Sequence, residues 1–360
     1  MQPSSIENNR ILFCRDVTCN VSTISCTLVS GFDNTIDRIW YNNNFGRLRN
    51  MESRSSQINA DKIFRWTAAF DSALILILIV GILIQLIIGS NLSLKKFGVG
   101  FLFSNAWNPV TGNFGAASSI FGTLVSTFIA MVIALPLSLA IALFLVELAP
   151  PWISNPVGSA IELLAAIPSI IYGMWGLFVF APFMANTIQP FIGIHLGFLP
   201  FFKGPPMGIG MLTAGLILAL MILPFISAVM RDVFQMVPAV VKESAFGMGA
   251  TIWEVTSHVT VRYGMRGLVG ATFLGLARAI GETMAVTFVI GNNHSISASL
   301  FEPGNSIAST LANEFTEASD PLYLSSLIEL GLVLFIITLA IQIIAQLWMR
   351  RFNKEMGRSL

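Results

Sequence analysis

The sequence predicts an all-α membrane protein with six transmembrane helices and both termini cytoplasmic. Three observations carry that prediction. Hydrophobic residues make up 54% of the 360 residues and charged residues only 11%, a balance that no ordinary soluble domain has. The apolar residues gather in runs of the ~20 residues that span a hydrocarbon core as a helix. Lys and Arg concentrate in alternate segments between those runs, as the positive-inside rule requires. A formal net charge of +1 leaves no clustered basic surface for a phosphate backbone, so no nucleic-acid partner is expected.

Residues 1–60 are expected to form a disordered extension. Met1 to Asn50 is polar and rich in Asn and Ser, with no helical apolar stripe and no signal-peptide pattern of basic start, apolar centre and small-residue cleavage site. Met51-Glu52-Ser53-Arg54 makes a short lead into the first helix, which points to Met51 as the translation start. Cys14, Cys19 and Cys26 have no histidine at metal-ligand spacing and no small disulfide-rich domain around them. His195, His258 and His294 are scattered singly. No metal site, disulfide framework or cofactor is therefore expected.

Residues 61–350 are expected to hold the membrane domain, with a cytoplasmic loop at 231–266, and residues 351–360 a cytoplasmic tail. The runs lie near Thr67 to Ile88, Ser118 to Leu148, Val157 to Met184, Met207 to Met230, Gly267 to Gly291 and Tyr323 to Met349. In lipid only helices and closed barrels satisfy the backbone, and these runs lack the alternation of barrel strands. Pro136, Pro168 and Pro224 each sit inside a run, where a lost backbone bond and a ring clash bend a helix. Membrane helices also tolerate proline for packing alone.

With the N-terminus inside, the segment up to Arg65 holds eight Lys and Arg, the loop from Arg231 to Arg266 four and the tail from Arg350 four. Outside stand Lys95, Lys96 and Lys203, and Arg278 falls within the fifth run. Sixteen against three places both ends in the cytoplasm.

The loop reads Val237-Pro238-Ala239-Val240-Val241-Lys242-Glu243-Ser244-Ala245-Phe246-Gly247-Met248-Gly249-Ala250-Thr251-Ile252-Trp253-Glu254. Pro238 suits the start of a helix, Glu243 lies within reach of that start, and Ser244, Ala245 and Gly249 keep one surface flat. After Gly249, the residues Ile252, Val255 and Val259 recur at helical spacing. The pattern predicts a helix, a glycine turn and a second helix at the membrane surface, with a small-residue face exposed to a partner. A helix resting among lipid headgroups is the competing reading, against which the stretch lacks a lysine-rich polar face.

This segment resembles the Glu-Ala-Ala-x-x-x-Gly loop of ABC importer permeases, in which a short coupling helix docks on the ATPase subunit. Glu243, Ala245 and Gly249 match, Ser244 replaces the middle alanine, and Val261-Arg262 stand where the family has Leu-Pro, so the second helix is expected to run on unbroken. Ile161 to Gly173 and Ala277 to Thr287 are similar to signatures of the phosphate importer permeases, the run Glu282-Thr283-Met284-Ala285-Val286 to that of the PstC-type subunit. The resemblance implies a type I ABC importer permease fold in the bacterial inner membrane, translocation of inorganic phosphate, and coupling through Glu243, Ser244, Ala245 and Gly249. It further implies a PstA-like second permease subunit, two copies of an ATP-binding subunit and a periplasmic phosphate-binding protein as partners, beside the membrane lipid itself.

Arg278 and Glu282 are expected one turn apart near the middle of the fifth helix, where each charge costs about 2.5–3.5 kcal/mol. Four residues apart, they share a face and can pair. One reading makes Arg278 a donor of planar hydrogen bonds to passing phosphate, with Glu282 orienting it and Thr283 and Thr287 adding hydroxyl contacts. The other makes the pair structural glue. Gly267, Ala271, Gly275 and Ala279, with Gly281 on the neighbouring row, let another helix approach closely; its partner lies in this chain or in a second subunit. Asp71, Glu162 and Glu329 lie nearer helix ends or lack a local partner, and are read as structural or interfacial.

No Gly-x-x-x-x-Gly-Lys-Ser/Thr loop, His-Glu-x-x-His or Gly-x-Ser-x-Gly occurs, so this chain is expected to be no enzyme, with ATP hydrolysis in a separate chain. Sulfate or molybdate would suit Arg278 nearly as well as phosphate. A secondary transporter using Arg278 and Glu282 would need inverted repeats, which the two halves do not display. A membrane sensor recruiting a signalling protein through the loop is the rival from another class.

Overall fold

Apolar runs become helices because in a bilayer a helix pairs every backbone group of a segment within that segment. The computed structural model describes residues 35–356, with side chains from Lys62 to Arg350 apart from Leu196. Residues 1–34 of the expected extension, with Cys14, Cys19 and Cys26, lie outside the described residues. The chain divides into two compact units, Met1–Ile75 and Leu76–Leu360.

Helix α1 is Thr35–Gly89 and so opens inside the span expected to be extension. From Lys62 to Ile75 all its side chains are exposed. In the second unit follow α2 (Asn91–Phe97), α3 (Gly100–Phe103) and α4 (Ala117–Leu143), whose last turn widens into a π-helix at Phe144–Leu148. Next come α5 (Pro151–Ala165), α6 (Ser169–Trp175), α7 (Ala181–Phe183) and α8 (Gln189–Leu196), the last three joined by π turns at Gly176–Phe180 and Met184–Ile188. Then come α9 (Met211–Gln235), α10 (Ala239–Gly247) and α11 (Ile252–Glu254), which passes through a π turn at Val255–Thr260 into α12 (Val261–Ile280). The last elements are α13 (Met284–Val289), α14 (Ile307–Glu314) and α15 (Pro321–Met356).

Five helices among the described residues are long and apolar enough to cross a membrane: Lys62–Gly89, Ala117–Leu148, Ser169–His195, Met211–Gln235 and Pro321–Arg350. Two expected runs are redrawn. The third, expected from Val157, is cut at Pro168, which stands as the N-cap of α6 and leaves α5 as a separate helix. Proline has no N–H and keeps the preceding residue out of the α region, so the helix ends before it. Pro136 and Pro224, by contrast, lie inside α4 and α9. The fifth run starts earlier, at Val261, and breaks after Ile280, so that Gly281, Glu282 and Thr283 separate α12 from α13.

The core is built on α9. Its Ile217, Leu218, Met221, Ile222, Ile226 and Phe234 are fully or almost fully buried. Against it lies the small-residue side of α4, where Ala130, Ala134, Ser138 and Ala142 recur at intervals of four and are all buried. Small residues let helix backbones approach and make van der Waals contact where lipid gives no hydrophobic drive. Ser138 Oγ donates to the Leu223 carbonyl at 3.0 Å, tying the two helices midway. On another side of α9 stands α12. A Cβ at Gly267 would lie 2.5 Å from both Val233 methyls, and one at Gly275 would collide with Ile226. Ala271 and Ala279 are buried between them. The helix that approaches this row is thus in the same chain.

Candidate functional site

The loop after α9 folds as a helix, a turn and a helix. Pro238, extended at the N-cap, opens α10. Gly249 adopts a φ of +87°, open to glycine without a Cβ penalty. Thr251 and Glu254 then form a reciprocal cap, with Thr251 Oγ1 accepting from the Glu254 amide and Glu254 Oε2 accepting from the Thr251 amide at 2.8 Å. The Thr251 amide and the Thr251 hydroxyl, which also donates to Glu254 Oε2 at 2.9 Å, hold the Glu254 carboxyl below its ordinary pKa. Arg262 lies in uninterrupted helix.

The outward surface differs from the expected small-residue face. Glu243, Ser244 and Gly249 are exposed, but Ala245 is buried, because α10 packs along the Val255–Thr260 turn and only a small side chain fits there. What stands out is apolar: Met248 is 84% exposed and Trp253 75%. Ser244 Oγ donates to the Val240 carbonyl of its own helix.

At the far end of α12, the break rearranges the expected charge pair. Arg278 lies in the last turn of α12, not at its middle. Among the described residues it makes no ion pair with Glu282, whose Oε1 instead accepts from the Ala285 amide at 3.2 Å. The reason is local competition: α13 begins with unpaired amides, and a carboxylate at its start satisfies one and favours the positive helix end. The Arg278 guanidinium lies over the Phe225 ring, 5.1 Å from its centroid, and its Nε is buried without a hydrogen-bond partner. Thr283 Oγ1 points back to the Gly281 carbonyl and Thr287 Oγ1 to the Thr283 carbonyl, at 3.4 and 2.6 Å. Arg278, Glu282, Thr283 and Thr287 thus gather around one helix break without bonding to each other's charges.

At the other end of α9, the loop after α13 builds a polar knot. Glu314 Oε2 accepts from Trp107 Nε1 and from Tyr323 Oη, both at 2.6 Å, and Oε1 lies 2.9 Å from His294 Nε2. Burial pushes this carboxyl up, but the three donors together outweigh it and hold it below its ordinary pKa. The Trp107 and His294 rings stack at 5.1 Å.

Residues 134–358, which include α9, the loop and Arg278, match the family described as "Binding-protein-dependent transport system inner membrane component". The chain belongs to this family of transport permeases. It is similar to the protein named phosphate transport system permease protein PstC of Pasteurella multocida, 51% identical over 86% of this chain and 99% of that protein. A protein of the same name from Mesorhizobium japonicum is 52% identical over 82% of this chain and 92% of its own length. A more distant relative, named probable phosphate transport system permease protein PstC, from Methanocaldococcus jannaschii, is 35% identical over 74% and 86%. Among solved structures, a bacterial ABC transporter involved in the import of the acidic polysaccharide alginate superposes with a TM-score of 0.54 at 15% identity, over 78% of this chain and 94% of that one. The fold is that of an ABC importer permease.

In this permease, three tertiary contacts had no signature in the sequence. Lys242 of α10 reaches Glu147 in the π turn of α4, Arg231 of α9 reaches Glu162 of α5, and Glu314 gathers its donors from three separate segments. Each joins residues that only the fold brings together. The one available signal was an acid placed beside the end of an apolar run, as Glu147 is. Glu162, expected to be structural or interfacial, has Arg231 Nη1 at 3.1 Å.

Proposed function

We propose that this permease carries inorganic phosphate across the inner membrane as one subunit of an ATP-driven importer. The observation that carries the reading is Arg278, a guanidinium held on an aromatic face with a buried, unpartnered Nε and, among the described residues, no bound carboxylate. Planar, permanently charged donors suit a tetrahedral oxyanion, and the relatives named as phosphate permeases, near 50% identical, point to phosphate. Thr283 and Thr287 offer hydroxyls along the same break. A site that lets its ion go must hold it weakly, and the local bonds that occupy both hydroxyls and Glu282 serve that need.

In this reading α12, 20 residues long and so about 30 Å, is the sixth crossing, and both termini face the cytoplasm. The loop at 231–266 then meets an ATP-binding subunit, two copies of which serve this chain and a PstA-like second permease, and ATP hydrolysis belongs to those subunits. Glu243, Ser244 and Gly249 lie on the docking side with Met248 and Trp253, while Ala245 seats α10. A periplasmic phosphate-binding protein delivers the ion at the α14 end.

The test is phosphate uptake by the reconstituted complex. A hydrogen bond to a charged group contributes about 1.5–3 kcal/mol, so Arg278→Gln is expected to lower uptake ~10- to ~100-fold with the ATP-binding subunit still attached. Normal uptake removes the role, and lost assembly makes Arg278 a structural group. Uptake of sulfate or molybdate in place of phosphate moves the substrate assignment.

A further inference from the structure

We propose that the Lys242–Glu147 ion pair is the mechanical link by which α10 moves the α4–α9 core. It is a positioning contact, and it rests on the reading of α10 as the helix that docks the ATP-binding subunit. Lys242 precedes Glu243 of the docking motif and, turned from it by about 100° on the helix, is partly buried where Glu243 is exposed. Its Nζ lies 2.5 Å from Glu147 Oε1, and the two side chains are only 18% and 10% exposed. An exposed pair of this kind would contribute little and break readily. A shielded one resists separation, because parting it strands two poorly solvated charges.

Glu147 stands on an unusually stiff corner. It lies in the π turn at Phe144–Leu148, closed by the Ala149 amide donating to the Phe144 carbonyl at 2.8 Å. The next two residues, Pro150 and Pro151, have fixed φ and no N–H. The Leu145 carbonyl, left without a backbone donor by Pro150, receives the Ser154 hydroxyl of α5 at 2.7 Å. At the other end of α5, Glu162 binds Arg231 on α9, and Gly158 makes room for that guanidinium, which any Cβ there would strike. A displacement of α10 therefore reaches α4 directly through Glu147, and α9 through α5. Further along α9 is Phe225, the ring beneath Arg278. The shielded Lys242–Glu147 pair is the firm link in this chain of contacts, whereas Glu162, 60% exposed, makes the α5–α9 step the weaker one.

The experiment uses the complete importer in proteoliposomes, measuring ATP hydrolysis and phosphate uptake on the same vesicles. Lys242→Gln and Glu147→Gln are each expected to lower phosphate carried per ATP hydrolysed by about tenfold, in the lower part of the range for coupling between sites. The ATP-binding subunit stays bound in both, and Lys242→Arg keeps wild-type uptake. The swap Lys242→Glu with Glu147→Lys restores uptake per ATP to within about twofold, as expected for a pairwise interaction. Unchanged uptake per ATP in the single variants overturns the link, as does a swap no better than either single change. Loss of the ATP-binding subunit in parallel with uptake also overturns it, by making the pair a prop for assembly. A wild-type complex that takes up no phosphate overturns the functional reading and the link with it. Wild-type uptake beside an unaffected Lys242→Gln overturns the link alone.

Discussion

Gly267→Ala tests how closely α9 and α12 are packed. The added Cβ would stand 2.5 Å from Cγ1 and 2.5 Å from Cγ2 of Val233, whereas carbon atoms in contact sit about 3.5–4.0 Å apart. Valine in a helix has essentially one χ1 rotamer, and with both methyls struck no small rotation relieves the overlap. The helices must part by roughly 1 Å, and overpacking of this size costs about 1–3 kcal/mol. Helix propensity works in the opposite direction, since alanine is favoured over glycine by about 1 kcal/mol in a helix interior. The net expectation is a loss of up to about 2 kcal/mol, a shift of up to ~30-fold in the unfolding equilibrium of the purified complex. Denaturant titration of the detergent-solubilised protein measures it. In a Val233→Ala background both methyls are gone and only the Cβ of residue 233, 3.1 Å away, remains, so the same substitution should cost much less. A loss in the wild-type background no larger than that in Val233→Ala would falsify the packing argument.

Two further outcomes follow from the ends of the bundle. Glu314 has a depressed folded pKa, so its contribution to stability is fully present above the ordinary carboxylate value of about 4.3 and disappears as the pH falls through the lower folded value; Glu314→Gln should therefore be destabilised near neutral pH and converge on wild type in acid, and a constant gap across an acid titration would contradict this. At the helix break, Glu282→Gln keeps an acceptor for the Ala285 amide whereas Glu282→Ala loses a cap worth about 1 kcal/mol, so alanine should be the more damaging to stability; equal damage from both would favour a charge interaction over capping.

Length and hydropathy made α4, α9 and α15 legible, because a long uninterrupted apolar run has no alternative to a helix in lipid. The errors came where one residue decides whether a helix continues. Pro168 was read as a bend and is a boundary. Gly281 was read as part of a packing row and is the C-cap of α12. That single break cancels the four-residue spacing on which the Arg278–Glu282 pair depended. Ala245 shows a different limit: a small residue in a motif can mark an open face or a tight seat, and only the packing partner, here the Val255–Thr260 turn, decides. The loop after α9 was legible down to its glycine turn. The Lys242–Glu147 pair, 95 residues apart, was not, since no periodicity links two helices across that distance.

The break at Gly281 also answers a difficulty that the unbroken helix would raise. An arginine paired with a carboxylate one turn away is electrically quiet and has little attraction for an anion. With the helix ended at Ile280, Arg278 sits instead in the last turn, at the helix end that carries a partial negative charge of about half an electron. The Phe225 ring adds a second partial negative surface. Both stabilise the guanidinium without occupying its donors as a carboxylate would. Glu282, drawn away to the start of α13, leaves those donors free while α13 packs against α6, where Gly173 admits the α13 backbone and Phe288. The same break thus ends one helix, starts the next and separates Glu282 from Arg278, and a continuous helix through residue 281 would lose all three.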